Sequence, residues 1–426
     1  MTIPDLYKIF LENPSVQTDT RKLNPGDIFF ALKGPSFNGN EFAKKAIDSG
    51  ASYAVIDEES YVIDEKTILV DDVLDTLQQL SLHHRQQFDI PFIAITGSNG
   101  KTTTKELVHA VLSSTYKTYT TQGNLNNHIG IPLTILNIKK DAEMAVIEMG
   151  ANHQQEIASY CRIALPTHGL ITNCGKAHLE GFGSEEGVRK GKGELFDHLR
   201  AHQGMAFIMK DYDYLVEMSK GIPTLFSYGT SDADVTGNVV SSDPYLEVSF
   251  SQGLANTIAT RLVGSYNLPN VLAAVATGIY FNVETGRIKK AIEAYAPTNS
   301  RSQLLEKGSN KIILDAYNAN PSSMKAAIEN FAMHAAAQKI LVLGAMAELG
   351  AGSVEEHQKI VEQISKHQWK EVLLVGGDFL KTDHGFRSFD DPSAAGEWLH
   401  SQDLQEAYLL VKGSRSMQME KILDYL

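Results

Sequence analysis

The chain has 426 residues, 43% of them apolar and 8% aromatic, enough for two or three cored domains at ~150 residues each. Its formal charge of −13, with no long basic run, argues against DNA or an anionic membrane as the main partner. No stretch reaches the ~18 apolar residues of a membrane span, and the longest candidate, Val271 to Val283, reads as a core helix. Cys161 and Cys174 stand in no metal-like spacing and read as reduced core thiols. Met1 to Lys8 lacks a basic segment followed by an apolar one. A soluble, cytoplasmic protein is expected.

Residues 1–85 read as a small α/β domain. Strands are expected at Ile28 to Leu32, Ala54 to Ile56 and Ile68 to Val70, and a helix at Glu41 to Ser49, before a polar helix-and-loop segment from Gln78 to Asp89. The next domain, 86–298, opens with Ile93-Ala94-Ile95-Thr96-Gly97-Ser98-Asn99-Gly100-Lys101-Thr102-Thr103-Thr104. An apolar strand enters a glycine turn, a Lys-Thr pair and a helix from Glu106 to Leu112, the context a phosphate-binding loop requires. Backbone N–H groups and the helix N-terminus favour anionic oxygens there. Lys101 is placed for β/γ-phosphates and the Thr102 hydroxyl for Mg2+. The usual first glycine falls at Ile95, so Gly97 takes over as the turn glycine and the loop is tighter. Strands at Met144 to Met149, Gly169 to Asn173 and Ala206 to Met209, separated by helices, predict a parallel sheet covered on both faces. Residues 225–263 alternate and predict antiparallel edge strands. Residues 299–426 repeat the α/β pattern, with strands at Lys311 to Asp315, Ile340 to Gly344, Val372 to Gly376 and Tyr408 to Val411 and a helix at Ser322 to Phe331. The fold class is α/β in three domains: a small N-terminal unit, a central phosphate-loop ATPase domain on a parallel sheet, and a Rossmann-like doubly wound domain.

Several residues outside the loop are chemical candidates. Glu148 ends a strand at the carboxyl edge, where ligands bind in open α/β sheets, and is a candidate Mg2+ ligand. His178 follows the next strand on the same edge, although a lone His is by default a hydrogen-bonded structural residue. Lys192 reads on spacing alone as part of a solvated helix face, while Gly191 and Gly193 around it point to close packing. Asn267 is either an N-cap, with Pro269 in the first turn, or, with Asn270, an amide reader of adenine. Asp315-Ala316-Tyr317-Asn318-Ala319-Asn320-Pro321 is polar for a mere connection, though Asn320 or Ser322 also suits a helix cap.

Over essentially its whole length the chain resembles the Mur ligases of peptidoglycan synthesis. The resemblance rests on Thr96 to Thr102, on Gly123-Asn124-Leu125-Asn126-Asn127-His128-Ile129-Gly130-Ile131-Pro132, on Glu148-Met149-Gly150-Ala151-Asn152-His153, on Ala177-His178-Leu179-Glu180-Gly181-Phe182-Gly183-Ser184, and on Asp315 to Pro321. The Gly-Asn-x-Asn-Asn segment and the Asp315 loop resemble the branch that adds D-alanyl-D-alanine. The resemblance implies an ATP-dependent amide ligase that extends UDP-N-acetylmuramoyl-tripeptide through an acyl phosphate. It implies ATP bound by Gly97, Ser98, Asn99, Gly100, Lys101, Thr102 and Thr103, with Asn267 and Asn270 on adenine and Arg301 and Asp315 at the domain junction. It implies two Mg2+ held by Thr102, Glu148, His178 and Lys192, the last as a carbamate. Thr20, Arg21, Lys33 and Gly34 would hold the UDP-sugar in domain 1–85, with Asn127, Tyr317, Asn318 and Asn320 on the peptide substrates. The family often has an Asp/Ala-type residue and His around 38–40, where this chain has Asn38 and Asn40, and position 176, often Pro, is Lys176. A monomer is expected, with no nucleic acid partner. The Asn-Ala-Asn-Pro loop argues against the alternatives, a diamino-acid-adding Mur ligase and a folylpolyglutamate synthetase. Intact Lys101, Glu148, His178 and Lys192 argue against a silent nucleotide-binding scaffold.

Overall fold

The computed structural model describes residues 1–254, 256–298 and 300–426. Asn299, the expected first residue of the C-terminal unit, lies outside the described residues. Three principal sheets follow one another along the chain.

The first is parallel and four-stranded, in the order Val16–Gln17, Ile28–Phe30, Tyr53–Ile56, Thr67–Leu69. Helices Ile3–Glu12 and Val73–Arg85 bury Leu6, Phe10, Leu77 and Leu80 against one face. The first helix escaped the sequence reading, although Thr2 caps it and Pro4 sits in its first turn. Leu136 of the next unit joins this apolar cluster. Arg85 rivets the two units: it donates to the Ala164 and Leu165 carbonyls at 2.8 and 3.0 Å and lies 3.7 Å over the Phe92 ring.

The second sheet has nine strands. From Thr118–Thr120 through Met144–Glu148, Phe92–Thr96, His168–Ile171, Met205–Met209 and Thr224–Gly229 to Val235–Ser241, every neighbour is parallel. Glu247–Gln252 and Thr257–Ala259 close the edge antiparallel. The antiparallel region is therefore narrower than 225–263 predicts. Helix Asp213–Met218 supplies a crossover, so Thr224–Gly229 enters parallel to Met205–Met209. Phe92–Thr96 is buried at every position, as a strand covered on both faces should be. Its two neighbours carry the chain off in opposite directions, so the loop after it opens at a topological switch point.

The third sheet has six strands, two more than the sequence pattern shows. Gln303–Lys307 pairs antiparallel with Asn310–Asp315, and Tyr408–Lys412, Lys339–Gly344, Glu371–Val375 and Arg387–Phe389 continue in parallel. Both cysteines are free and buried. No helix among the described residues is long and apolar enough to cross a membrane.

Candidate active site

Gly97 starts the loop at φ +142°, and a Cβ there would lie 2.0 Å from Thr172 Oγ1, so only glycine fits. The segment 172–175 braces the loop. Thr172 Oγ1 and Asn173 Nδ2 donate to the Asn99 carbonyl at 2.6 and 3.0 Å, the Asn99 N–H donates to Asn173 Oδ1 at 3.1 Å, and Ser98 Oγ donates to the Gly175 carbonyl at 2.8 Å. The helix then starts at Lys101. Lys101 Nζ folds back onto the Gly97 and Ser98 carbonyls at 2.7 and 3.1 Å. Burial holds this ammonium below its ordinary range, against the pull of the Glu148 charge.

Glu148 is buried at the end of its strand. Asn126 Nδ2 donates to Oε1 at 2.8 Å, while Oε2 is buried without a partner. A buried carboxylate oxygen with nothing to accept from is costly unless a cation completes it. His178, at φ +51°, turns Nδ1 against the Glu348 carboxylate, itself at φ +61° on the C-terminal unit. A carboxylate against one ring nitrogen is the arrangement that orients metal-binding imidazoles through the other. Among the described residues no three His, Cys, Asp or Glu side chains converge as a metal cluster. A cation here must lean on few protein ligands and on phosphate oxygens, as Mg2+ does.

Lys192 is not solvated, which corrects the reading from spacing. Its side chain is fully buried; Nζ donates to the Ala151 carbonyl at 2.8 Å and lies 5.0 Å from the Phe182 ring centre. Burial, then the Lys101 charge, lowers its pKa to about 7. The close packing that its flanking glycines suggest is real at Gly191, where a Cβ would lie 2.4 Å from Phe182 Cε1.

The C-terminal unit covers the loop. Asn320 Nδ2 donates to Asn99 Oδ1 at 2.7 Å. Asn320 also caps helix Pro321–Met333 in a reciprocal box with Ser323, as the cap reading expects. Asp315 Oδ2 accepts from the buried Lys412 at 2.5 Å. Arg301 stacks 3.5 Å over Tyr317. Asn267 begins helix Leu268–Tyr280 without capping it, a correction to the N-cap reading. Its Nδ2 donates to the Val263 carbonyl, its Oδ1 accepts from Asn270, and Asn270 Oδ1 accepts from Thr104. Each amide keeps part of its bonding capacity unused.

One cleft of about 1150 Å3 joins these walls. Ser98, Asn99, Gly100, Lys101, Thr102 and Thr103 form its floor, with Asn127, Glu148 and His178 on one side. Asn267, Asn270, Arg301, Asp315, Tyr317, Asn318 and Asn320 close it from the other. Asn127 Oδ1 accepts from the Gly130 N–H at 2.9 Å and so shapes the start of its helix. Gly97 and Lys192 stand behind the wall. Thr20, Arg21, Lys33 and Gly34 remain on the first unit: Arg21 pairs with Asp19, and Lys33 with Asp57 and Glu58. Asn38 and Asn40 turn inward to Glu58 and Asp57. The sequence reading missed Asn126, Glu348 and Lys412. Lys412 carried a signal, a lone cation ending the apolar run Leu409-Leu410-Val411; Glu348 carried none, because its role depends on a partner 170 residues away.

Family comparison matches three models: the Mur ligase family catalytic domain at residues 14–85, the Mur ligase middle domain at 95–278, and the Mur ligase glutamate ligase domain at 300–419. The UDP-N-acetylmuramoyl-tripeptide–D-alanyl-D-alanine ligase of Bacillus subtilis is 34% identical, over 100% of this chain and 97% of its own length. The Escherichia coli ligase of the same name is 36% identical over 97% and 93%. The crystal structure of the MurF ligase of Thermotoga maritima in complex with ADP superposes at a TM-score of 0.87 and 26% identity, covering 97% of each chain.

Proposed function

The chain belongs to the Mur ligase family, and on that premise we propose that it joins D-alanyl-D-alanine to UDP-N-acetylmuramoyl-tripeptide at the expense of ATP, in peptidoglycan precursor synthesis. The terminal carboxylate of the tripeptide attacks the γ-phosphorus, the bond to ADP breaks, and an acyl phosphate forms. The dipeptide amine then attacks the acyl carbon, expels inorganic phosphate and gives up a proton, leaving an amide. Neither step needs a nucleophilic side chain; both need positioning and charge neutralisation.

Lys101 exchanges the loop carbonyls for β/γ-phosphate oxygens. Thr102, Glu148 and His178 are the residues that would hold Mg2+, which when bound neutralises phosphate charge; the unpartnered Glu148 Oε2 fits that role. Lys192 would carry a carbamate, formed when its neutral amine adds to CO2 and releases a proton, and so supply an anion for a second Mg2+. Asn267 and Asn270 present their remaining amide capacity to adenine, with Arg301 and Asp315 at the junction. Domain 1–85 takes the UDP-sugar through Thr20, Arg21, Lys33 and Gly34, domain 86–298 takes ATP, and domain 299–426 closes over it. Asn127, Tyr317, Asn318 and Asn320 serve the peptide substrates. One chain supplies every wall of the cleft, and a monomer is the working unit of this proposal.

The observation that carries the reading is the direct bond from phosphate-loop Asn99 to Asn320 of the C-terminal loop, beside a buried carboxylate that lacks a partner. Phosphate release is to be followed with Mg2+, ATP and both peptide substrates, omitting each in turn. Release requiring both, with a pentapeptide product, is expected. Release with neither, or with glutamate and a folate instead, sinks the substrate assignment.

A further inference from the structure

Helix Glu185–Ala201 presents a second cation one turn before Lys192. Arg189 lines the cleft, with its guanidinium carbon 4.9 Å over the Tyr214 ring. Its Nε is buried without a hydrogen-bond partner. Arg85, by contrast, spends its guanidinium on the carbonyls of Ala164, Phe88 and Leu165. The ion-paired arginines among the described residues are Arg21, Arg200, Arg387 and Arg415, and Arg189 is not one of them. Carboxylates are not scarce, since the chain holds 51 acidic residues against 38 lysines and arginines. A half-buried guanidinium in such a chain, left without a counterion, is available to a ligand.

Its platform is fixed in advance. Tyr214 Oη accepts from the Cys174 N–H at 3.1 Å, and Tyr212 stacks on Tyr214 with centroids 5.7 Å apart and planes 10° from parallel. A guanidinium held flat against a ring offers its edge as a two-pronged donor, which matches a carboxylate or a phosphate. The phosphates already have the loop amides and Lys101. Met209, Cys174 and Tyr212 line the same cleft, as do Asp211 and Glu185; a planar carboxylate, with less charge than a polyphosphate, fits the guanidinium fork against that lining.

We propose that Arg189 is a specificity-determining residue that binds a substrate carboxylate not consumed in the reaction. The proposal rests on the ligase reading above. Two sources carry that group: the α-carboxylate of D-alanyl-D-alanine and the remaining carboxylates of the tripeptide.

The test is steady-state kinetics of Arg189→Met and Arg189→Lys with D-alanyl-D-alanine, with D-alanyl-D-alaninamide and with varied tripeptide, alongside thermal unfolding. Arg189→Met is expected to raise KM for one peptide substrate by about 10- to 100-fold, the usual weight of a charge-assisted pair, with KM for ATP and Tm unchanged. Arg189→Lys, keeping the charge without the fork, recovers part of the loss and carries the same test should the methionine variant misfold. If the dipeptide is the source, the wild type disfavours the amide by a similar factor and Arg189→Met does not. If the tripeptide is the source, its KM rises while the acid-to-amide ratio stays at the wild-type value. Peptide KM values within about twofold of wild type, or a rise confined to ATP, overturn the proposal. Absence of pentapeptide from the wild type itself would instead remove the ligase reading, a result distinguishable from any Arg189 effect.

Discussion

At Lys192, the amine is buried without a carboxylate bonded to it, and its pKa is drawn to about 7. An amine whose pKa falls on folding binds fewer protons folded than unfolded. Between pH 7 and the ordinary value of 10.5 stability therefore rises with pH, and Lys192→Met should flatten that rise under CO2-free conditions. With 13CO2 the proposed carbamate should give a carbonyl resonance in wild type that Lys192→Met lacks; its absence from wild type would end the carbamate assignment. Glu148 makes a complementary case. Glu148→Gln keeps a group for Asn126 to bond but deletes the unpartnered charge, so the protein without nucleotide and metal should melt higher. Phosphate release should fall on the order of 100-fold or more. A lower Tm would show that attraction between the Glu148 and Lys101 charges outweighs the cost of burying the carboxylate. The phosphate loop was legible because strand, glycine turn, Lys-Thr and helix are contiguous in the chain. Lys192 was legible only through resemblance, since a helix face reads as solvated until its neighbours are known.

Among the elements, helix Glu185–Ala201 ties these residues together, carrying both Arg189 and Lys192. Ser184 accepts from the Gly187 N–H to cap it, and Glu194 receives the Gln155 and Ala158 N–H groups at 2.6 and 2.9 Å, fixing the start of helix Glu156–Ala164. Gly191 lets the Phe182 ring approach, which also covers Lys192. Gly191→Ala should gain at most about 1 kcal/mol in helix propensity and lose about 1–3 kcal/mol to overpacking. The net is destabilisation, read as an earlier urea midpoint for the central unit. Phe182→Leu should restore much of it in the double variant; simple additivity would mean that the ring is not the obstacle. Strands were read well wherever apolar runs are continuous. The short edge strands Val16–Gln17, Gln303–Lys307 and Arg387–Phe389 were not read, because their residues are half-exposed or charged and pairing alone defines them.

For the whole molecule, the contacts that hold the C-terminal unit over the phosphate loop include the side-chain pairs Asn99 with Asn320, His178 with Glu348, and Lys176 with Glu356. None is visible in sequence, since each joins residues at least 170 positions apart. Lys176 stands where the family branch often has proline, and its Nζ lies 2.9 Å from Glu356 Oε1. Burial pushes the Glu356 carboxyl up, but bonds from Lys176 and Lys359 outweigh it and hold the group below its ordinary range. The pair is partly shielded, so a contribution of about 1 kcal/mol to closure is reasonable, toward the top of the span for surface pairs. If closure completes the nucleotide site, Lys176→Met should raise KM for ATP by about fivefold at low salt. The wild-type KM should climb with ionic strength more steeply than the variant's, so that the two converge at high salt. Glu356→Gln should do the same, because Lys359 retains Glu355 at 2.6 Å and is not left bare. Combining both changes should add little to either alone. A KM for ATP that ignores Lys176 at low salt, or two effects that simply add, would mean that closure is carried by the other contacts between the units without this ion pair.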